Sequence, residues 1–140
     1  MIVLGIETSC DETSAAVIKD GFLMSNVVLS QEIHKEFGGV VPEIASREHE
    51  EKLTSIIQLA LDRASVSKSA LDAIAVTYGA GLMGALLVGL NVAKGLAIGL
   101  NIPFIGVNHM EGHLYANMID NPQMDYPFLC VLVSVGHTQV

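Results

Sequence analysis

The chain opens in short apolar blocks separated by polar turns and only later shifts to longer stripes with the period of a helix. Residues 2–6 and 15–18 are β-branched apolar runs of strand length. Between them lies the polar stretch Glu7-Thr8-Ser9-Cys10-Asp11-Glu12-Thr13-Ser14, which reads as a loop. Lys19-Asp20-Gly21 predicts a tight hairpin turn, because Asp-Gly tolerates the positive φ angles that such turns demand, and residues 22–29 follow as a third strand. Residues 30–41 are irregular, with Phe37-Gly38-Gly39 breaking any period. The clearest helix comes next, over Pro42–Ala64. Its apolar positions Leu53, Ile56, Ile57, Ala60, Leu61 and Ala64 recur at helical spacing, and Glu43, Glu48, Glu50 and Glu51 crowd its N-terminal half as the macrodipole favours. Arg47 and His49 within it read as surface residues rather than ligands.

After a polar connection over residues 65–71, with room for one helical turn, residues 72–77 read as a buried strand ended by Gly79-Ala80-Gly81. Residues 82–99 carry Leu, Val, Ala and Gly on all sides, which predicts a nearly fully buried helix, with Gly95 and Gly99 admitting another element at close range. Residues 103–108 return as a strand. Strand, glycine turn, helix and strand make a βαβ crossover, implying parallel strands joined by a right-handed connection. Residues 114–118 extend a further helix, Asp120-Asn121-Pro122 stops it, and residues 128–133 read as one more buried strand. The chain ends in Ser134-Val135-Gly136-His137-Thr138-Gln139-Val140, a small-residue turn running into the start of a strand, as an N-terminal piece of something longer would.

Composition narrows the class. A length of 140 residues and 51% hydrophobic residues suit one globular domain. A net charge of −8 with seven Lys plus Arg argues against a dedicated nucleic-acid surface, since phosphate binding draws on clustered basic side chains. Cys10 and Cys130 form no CxxC pattern, which suits a reducing cytoplasm, and the N-terminus lacks the basic flank of a secretory signal. Residues 73–93 carry no charge and are long enough to span a bilayer, yet they divide into a strand, a glycine turn and the start of a helix, so a membrane span is not expected.

Two features carry chemistry. In Asn108-His109-Met110-Glu111-Gly112-His113 the imidazoles lie four residues apart, so on a helix both leave one face and can share a metal ion. Two imidazoles are half of a usual shell, so further ligands are expected elsewhere. The loop over residues 7–14, rich in hydroxyls and carboxylates, has the composition to wrap phosphates or hold a cation.

Four motifs, Gly5-Ile6-Glu7-Thr8-Ser9-Cys10-Asp11-Glu12-Thr13, Phe37-Gly38-Gly39-Val40-Val41-Pro42-Glu43, Gly79-Ala80-Gly81-Leu82 and His109-Met110-Glu111-Gly112-His113, stand in order with Ser134-Val135-Gly136-His137-Thr138. Together they resemble the tRNA threonylcarbamoyladenosine transferase family, of the TsaD type in its bacterial branch. The resemblance implies an actin-like ATPase (ASKHA, ribonuclease-H-like) α/β fold with a mixed central sheet flanked by helices. It also implies that residues 1–108 form the first subdomain, and that residues 109–140 hold the metal-ligand helix and the truncated start of the second. The implied reaction moves threonylcarbamoyl from its adenylate to N6 of the adenosine next to the anticodon. By the same resemblance His109 and His113 match ligands of one divalent metal, iron or zinc. Leu132, Val133, Ser134, Val135 and Gly136 match the stretch that contacts the adenylate substrate, while Asp11 and Glu12 match the first phosphate-type loop. The implied partners are a paralogous subunit bound through the first-subdomain helices, an accessory ATPase and tRNA, with no membrane.

Two positions depart from the family pattern. Val135 stands where a glycine is usual, and a β-branched residue tolerates neither positive φ nor a close ligand. Ala80 replaces a usual proline. Two other readings stay open beside the transferase: an interaction module that dimerises or binds a paralogue through its helices, and a peptidase. The second is weakly supported, because Glu111 lies midway between the histidines rather than directly after the first.

Overall fold

The computed structural model describes residues 1–121, 123–133 and 138–139. Three antiparallel strands open the chain: β1 (Ile2–Glu7), β2 (Glu12–Lys19) and β3 (Phe22–Ser30). The β2–β3 turn has Asp20 at φ 52° and Gly21 at φ 87°, the two positive values that the Asp-Gly pair predicts. β2 starts at Glu12 rather than Ala15, because Glu12, Thr13 and Ser14 pair with Ser30, Leu29 and Val28 and extend the hairpin into the polar stretch.

A short 3₁₀ segment, Glu32–Phe37, leads to helix α1 (Pro42–Ala64), with the boundaries that its period and Pro42 predict. Strand β4 (Ala73–Gly79), helix α2 (Met83–Leu100) and strand β5 (Phe104–Asn108) form the crossover, and helix α3 (His109–Asp120) follows without a linker. The sheet order is β3-β2-β1-β4-β5, with β1, β4 and β5 mutually parallel, so the sheet is mixed. Two short antiparallel strands, β6 (Leu132–Val133) and β7 (Thr138–Gln139), pair apart from it.

Alternation along the strands sends Leu4, Ile6, Ala15, Val17, Ile74 and Val76 to one face, where α1 and α2 cover them. Leu53, Ile57, Ala60 and Leu61 of α1 and Ala93 and Ala97 of α2 complete this core. The opposite face is open. Gly5, Ala16, Ile18 and Ala75 line a cavity of about 540 Å³ there, closed along one side by Gly112, Ala116 and Ile119 of α3.

Several sequence expectations need correcting. Helix α2 is not nearly fully buried: Met83, Leu87 and Ile98 are exposed, because α2 lies over one face of the sheet, burying Ala85, Leu86, Gly89, Ala93 and Ala97 and packing Val88, Val92, Leu96 and Leu100 half-buried against the core. By length and composition α2 could cross a membrane, at a mean hydropathy of 1.7 with 28% of its window buried. Its packing is that of a crossover helix, since β4 before it and β5 after it are neighbours in one sheet. The glycines that mediate close approach also differ from expectation. Among the described residues, nothing outside the helix's own adjacent backbone lies within 4 Å of a Cβ built at Gly95 or Gly99, whereas one at Gly84 would sit 2.4 Å from Ser46 Oγ and one at Gly89 2.4 Å from Thr8 Oγ1. Residues 128–133 form a strand only at Leu132–Val133, and Leu129, Val131 and Val133 are exposed, because no neighbouring strand of the main sheet reaches them.

Candidate metal centre

The site is built where the parallel strands end. β1 finishes at Glu7, β4 at Gly79 and β5 at Asn108, so their C-terminal ends form one rim, the edge at which open α/β sheets hold ligands. Asn108 stops the strand and starts the helix: its backbone is extended, and its side-chain oxygen accepts from Met110 N–H at 2.8 Å as an N-cap. His109 is therefore the first residue of α3, and His113 lies one turn on, on the same face.

The two rings meet edge to face, with centroids 4.5 Å apart and Nε2 to Nε2 at 3.1 Å. Two nitrogens each about 2.0–2.1 Å from a shared zinc ion lie roughly 3–3.4 Å apart, so the pair has the spacing of two ligands of one metal. Among the described residues, no set of three or more His, Cys, Asp or Glu side chains is grouped to hold a metal ion. The other ring nitrogen of His109 faces β1: Nδ1 is 3.1 Å from Ser9 Oγ and 3.3 Å from Glu7 Oε1. The sequence reading did not single out Glu7 or Ser9 as partners of the pair. The available signal was the βαβ order, which places the end of β5 on the same rim as the end of β1.

The loop over residues 8–11 is occupied by structural duties rather than free to wrap a phosphate. Thr8 Oγ1 donates to the Ala85 carbonyl of α2 at 2.9 Å, and the Ser9 carbonyl accepts from Leu82 N–H at 2.8 Å. Gly81 fits against this strut, since a Cβ there would stand 2.5 Å from the Ser9 oxygen. Thr13 Oγ1 is 2.8 Å from His49 Nδ1. Thr8, Ser9 and Thr13 are all buried, so their hydroxyls are already partnered. Glu12 is exposed and accepts from Ser30 Oγ at 3.0 Å. Burial, then the Asp11 carboxylate, pushes the Cys10 thiol from 9.0 up to about 11.

His49 is the largest departure from the sequence reading. It is fully buried instead of lying on the surface, because the stripe of α1 that faces the sheet extends back through His49 to Ala45. Its Nε2 donates to the Cys10 carbonyl at 3.0 Å, and its Nδ1 faces Thr13 Oγ1 and Gln31 Nε2. Gln31 Oε1 in turn accepts from His34 Nε2 at 2.8 Å. Arg47 stays on the surface, in an ion pair with Glu43 at 2.8 Å.

Of the residues matched to substrate contact, Leu132 is half-buried, Val133 is exposed, and neither lines the cavity beside the histidines. Ser134, Val135 and Gly136 lie outside the described residues.

Comparison with known proteins agrees with this architecture. Over residues 22–140 the chain matches the family model described as TsaD, tRNA N6-adenosine threonylcarbamoyltransferase. It is 56% identical to the protein of that name from Caldicellulosiruptor saccharolyticus, aligned over all of this chain and 42% of the relative. It is also 56% identical to the one from Thermosipho africanus, over all of this chain and 43% of the relative. The chain thus spans about two fifths of the length of these curated relatives. Among solved structures, YeaZ from Pseudomonas aeruginosa is similar at a TM-score of 0.65 and 24% identity, over 83% of this chain and 48% of that one, a likeness of fold. The sheet order and the comparisons agree on an actin-like α/β fold, and this chain belongs to the TsaD family of tRNA N6-adenosine threonylcarbamoyltransferases.

Proposed function

We propose that this chain is the N-terminal segment of a metal-dependent enzyme that transfers threonylcarbamoyl from its adenylate to N6 of the adenosine next to the anticodon, in tRNAs reading codons that begin with A. The observation that carries the metal half of this reading is the 3.1 Å approach of His109 Nε2 and His113 Nε2 on the strand-end rim. These two imidazoles would hold one iron or zinc ion, with the remaining ligands from outside this segment. Bound there, the metal would act as a Lewis acid and orient carbonyl oxygens of the threonylcarbamoyl group. Leu132, Val133, Ser134, Val135 and Gly136 would contact the adenylate.

In this reading residues 1–108 make the first subdomain, and residues 109–140 carry the ligand helix and the start of the second, whose remainder supplies the far wall of the cleft. The complete enzyme works in the cytoplasm with an accessory ATPase and a paralogous subunit. With a net charge of −8, this segment leaves most tRNA contacts to the rest of the assembly. The outer face of α2 supports the paralogue's docking place, and equally the alternative of an interaction module that pairs with a paralogue or a second copy. Met83, Leu87 and Ile98 are exposed there, and Gly95 and Gly99 leave open space. A peptidase keeps only the weak support of the histidine spacing, because Glu111 lies midway between His109 and His113 rather than directly after the first, where a zinc peptidase places its general base.

Transfer of labelled threonylcarbamoyl to tRNA tests the reading. The full-length protein with its partners transfers, its His109→Ala variant loses at least about a hundredfold in rate, and the 140-residue chain alone is silent. Full activity of His109→Ala removes the metal reading, and turnover by the isolated chain removes the claim that it is an incomplete segment.

A further inference from the structure

The ring of His109 is held from a side that no ligand role assigns. Glu7 closes β1 and is separated from His109 by 102 positions in sequence, yet its Oε1 lies 3.3 Å from His109 Nδ1. The carboxylate is itself anchored: the Ser9 N–H approaches Oε1 at 3.1 Å and Oε2 at 3.2 Å. The Ser9 hydroxyl oxygen stands 3.1 Å from the same imidazole nitrogen. Ser9 is buried and pinned to the start of α2 through its carbonyl, so the acceptors that meet Nδ1 sit on rigid backbone.

An ionised carboxylate only accepts hydrogen bonds, whereas the Ser9 hydroxyl can take either role, so the Glu7 contact puts the proton on Nδ1 and the Ser9 oxygen is able to accept from it too. That leaves the lone pair of His109 on Nε2, the atom that faces His113. We propose that Glu7, assisted by Ser9, is the positioning residue that fixes His109 in its Nδ1–H tautomer and aims Nε2 at the space shared with His113. The consequence for metal binding rests on His109 being a ligand, as proposed above; the tautomer does not. A carboxylate behind a ligating imidazole also raises its basicity, and removal of such partners typically weakens metal affinity by about 10–100-fold.

Two measurements on the 140-residue chain separate these levels. Long-range proton–nitrogen NMR correlations of the imidazoles, recorded above the imidazole titration range and assigned with His109→Gln, report the tautomer directly. The parent chain shows His109 protonated at Nδ1. Glu7→Ala shifts it toward the Nε2–H form that free imidazole prefers, and Glu7→Gln, whose amide oxygen still accepts, restores Nδ1–H. An Nε2–H tautomer in the parent, or an unchanged spectrum in Glu7→Ala, overturns the proposal. Because Glu7→Gln keeps size and shape, a folded comparison remains even where Glu7→Ala unfolds.

Zinc affinity, measured with zinc alone against a chelating dye, supplies the second readout. It falls by about 10–100-fold in Glu7→Ala and by less in Glu7→Gln. Affinity that depends on both His109 and His113 but is indifferent to Glu7 overturns the inference while the metal reading stands. Affinity indifferent to His109 removes the metal reading instead, and the role of Glu7 is then decided by the tautomer alone.

Discussion

His49 and His109 are both held by hydrogen bonds to the opening strands, yet the fold uses them in opposite ways. His49 is fully buried under α1, donates from Nε2 to the Cys10 carbonyl and accepts at Nδ1 from the Thr13 hydroxyl and the Gln31 amide. No lone pair is left over. His109 is partly exposed, and among the described residues only its Nδ1 is claimed by the opening strand and loop, through Glu7 and Ser9, while its Nε2 meets the second imidazole alone. A histidine with both nitrogens satisfied inside the protein is a structural cross-link. One held from a single side is free to bind something at the other.

The sharpest break of this comparison is a pair of alanine variants. His49→Ala strands the Cys10 carbonyl and the Thr13 hydroxyl and empties a packed site, so it loses about 2–4 kcal/mol in denaturant unfolding. His109→Ala stays within about 0.5 kcal/mol of the parent. Equal losses in the two would dissolve the distinction. A smaller effect separates the glycines of α2. Gly89→Ala drives a methyl group against the Thr8 hydroxyl and costs about 1–3 kcal/mol, whereas Gly95→Ala has open space and gains up to about 1 kcal/mol of helix propensity. Thermal unfolding of the two variants, side by side, gives shifts of opposite sign.

The smallest effect concerns reactivity rather than stability. Cys10 is exposed, but burial of its thiol and the Asp11 carboxylate raise its pKa to about 11, so at neutral pH the thiolate is roughly a hundredfold scarcer than for an ordinary thiol. Alkylation of Cys10 therefore stays slow at neutral pH and accelerates only as pH climbs toward that value. Mass spectrometry of iodoacetamide-treated chain against pH checks this, and a rate that levels off near pH 8.5 contradicts it.

The two faces of the sheet carry a related contrast. The face under α1 and α2 is filled by Leu4, Val17, Ile74 and Val76, while the opposite face leaves Ala16, Ile18 and Ala75 lining an open cavity that also reaches His109 and His113. Alternation in a strand announces two faces but not which one is covered, since coverage depends on where later elements pack. The same gap explains the misreading of α2. Its composition is apolar all round, and its outer face is nevertheless exposed.

By itself the sequence determined the opening hairpin, the long α1 stripe, the βαβ crossover and the pair of histidines one helical turn apart. Each of these is written within a few neighbouring residues, as a period, a turn dipeptide or a spacing. Only the tertiary structure decided that His49 is buried, that Gly84 and Gly89 rather than Gly95 and Gly99 are the tight contacts, and that Glu7 stands behind His109. These depend on which strands become neighbours. The order β1-β4-β5 brings together groups 102 positions apart, and no local period along the chain carries that information.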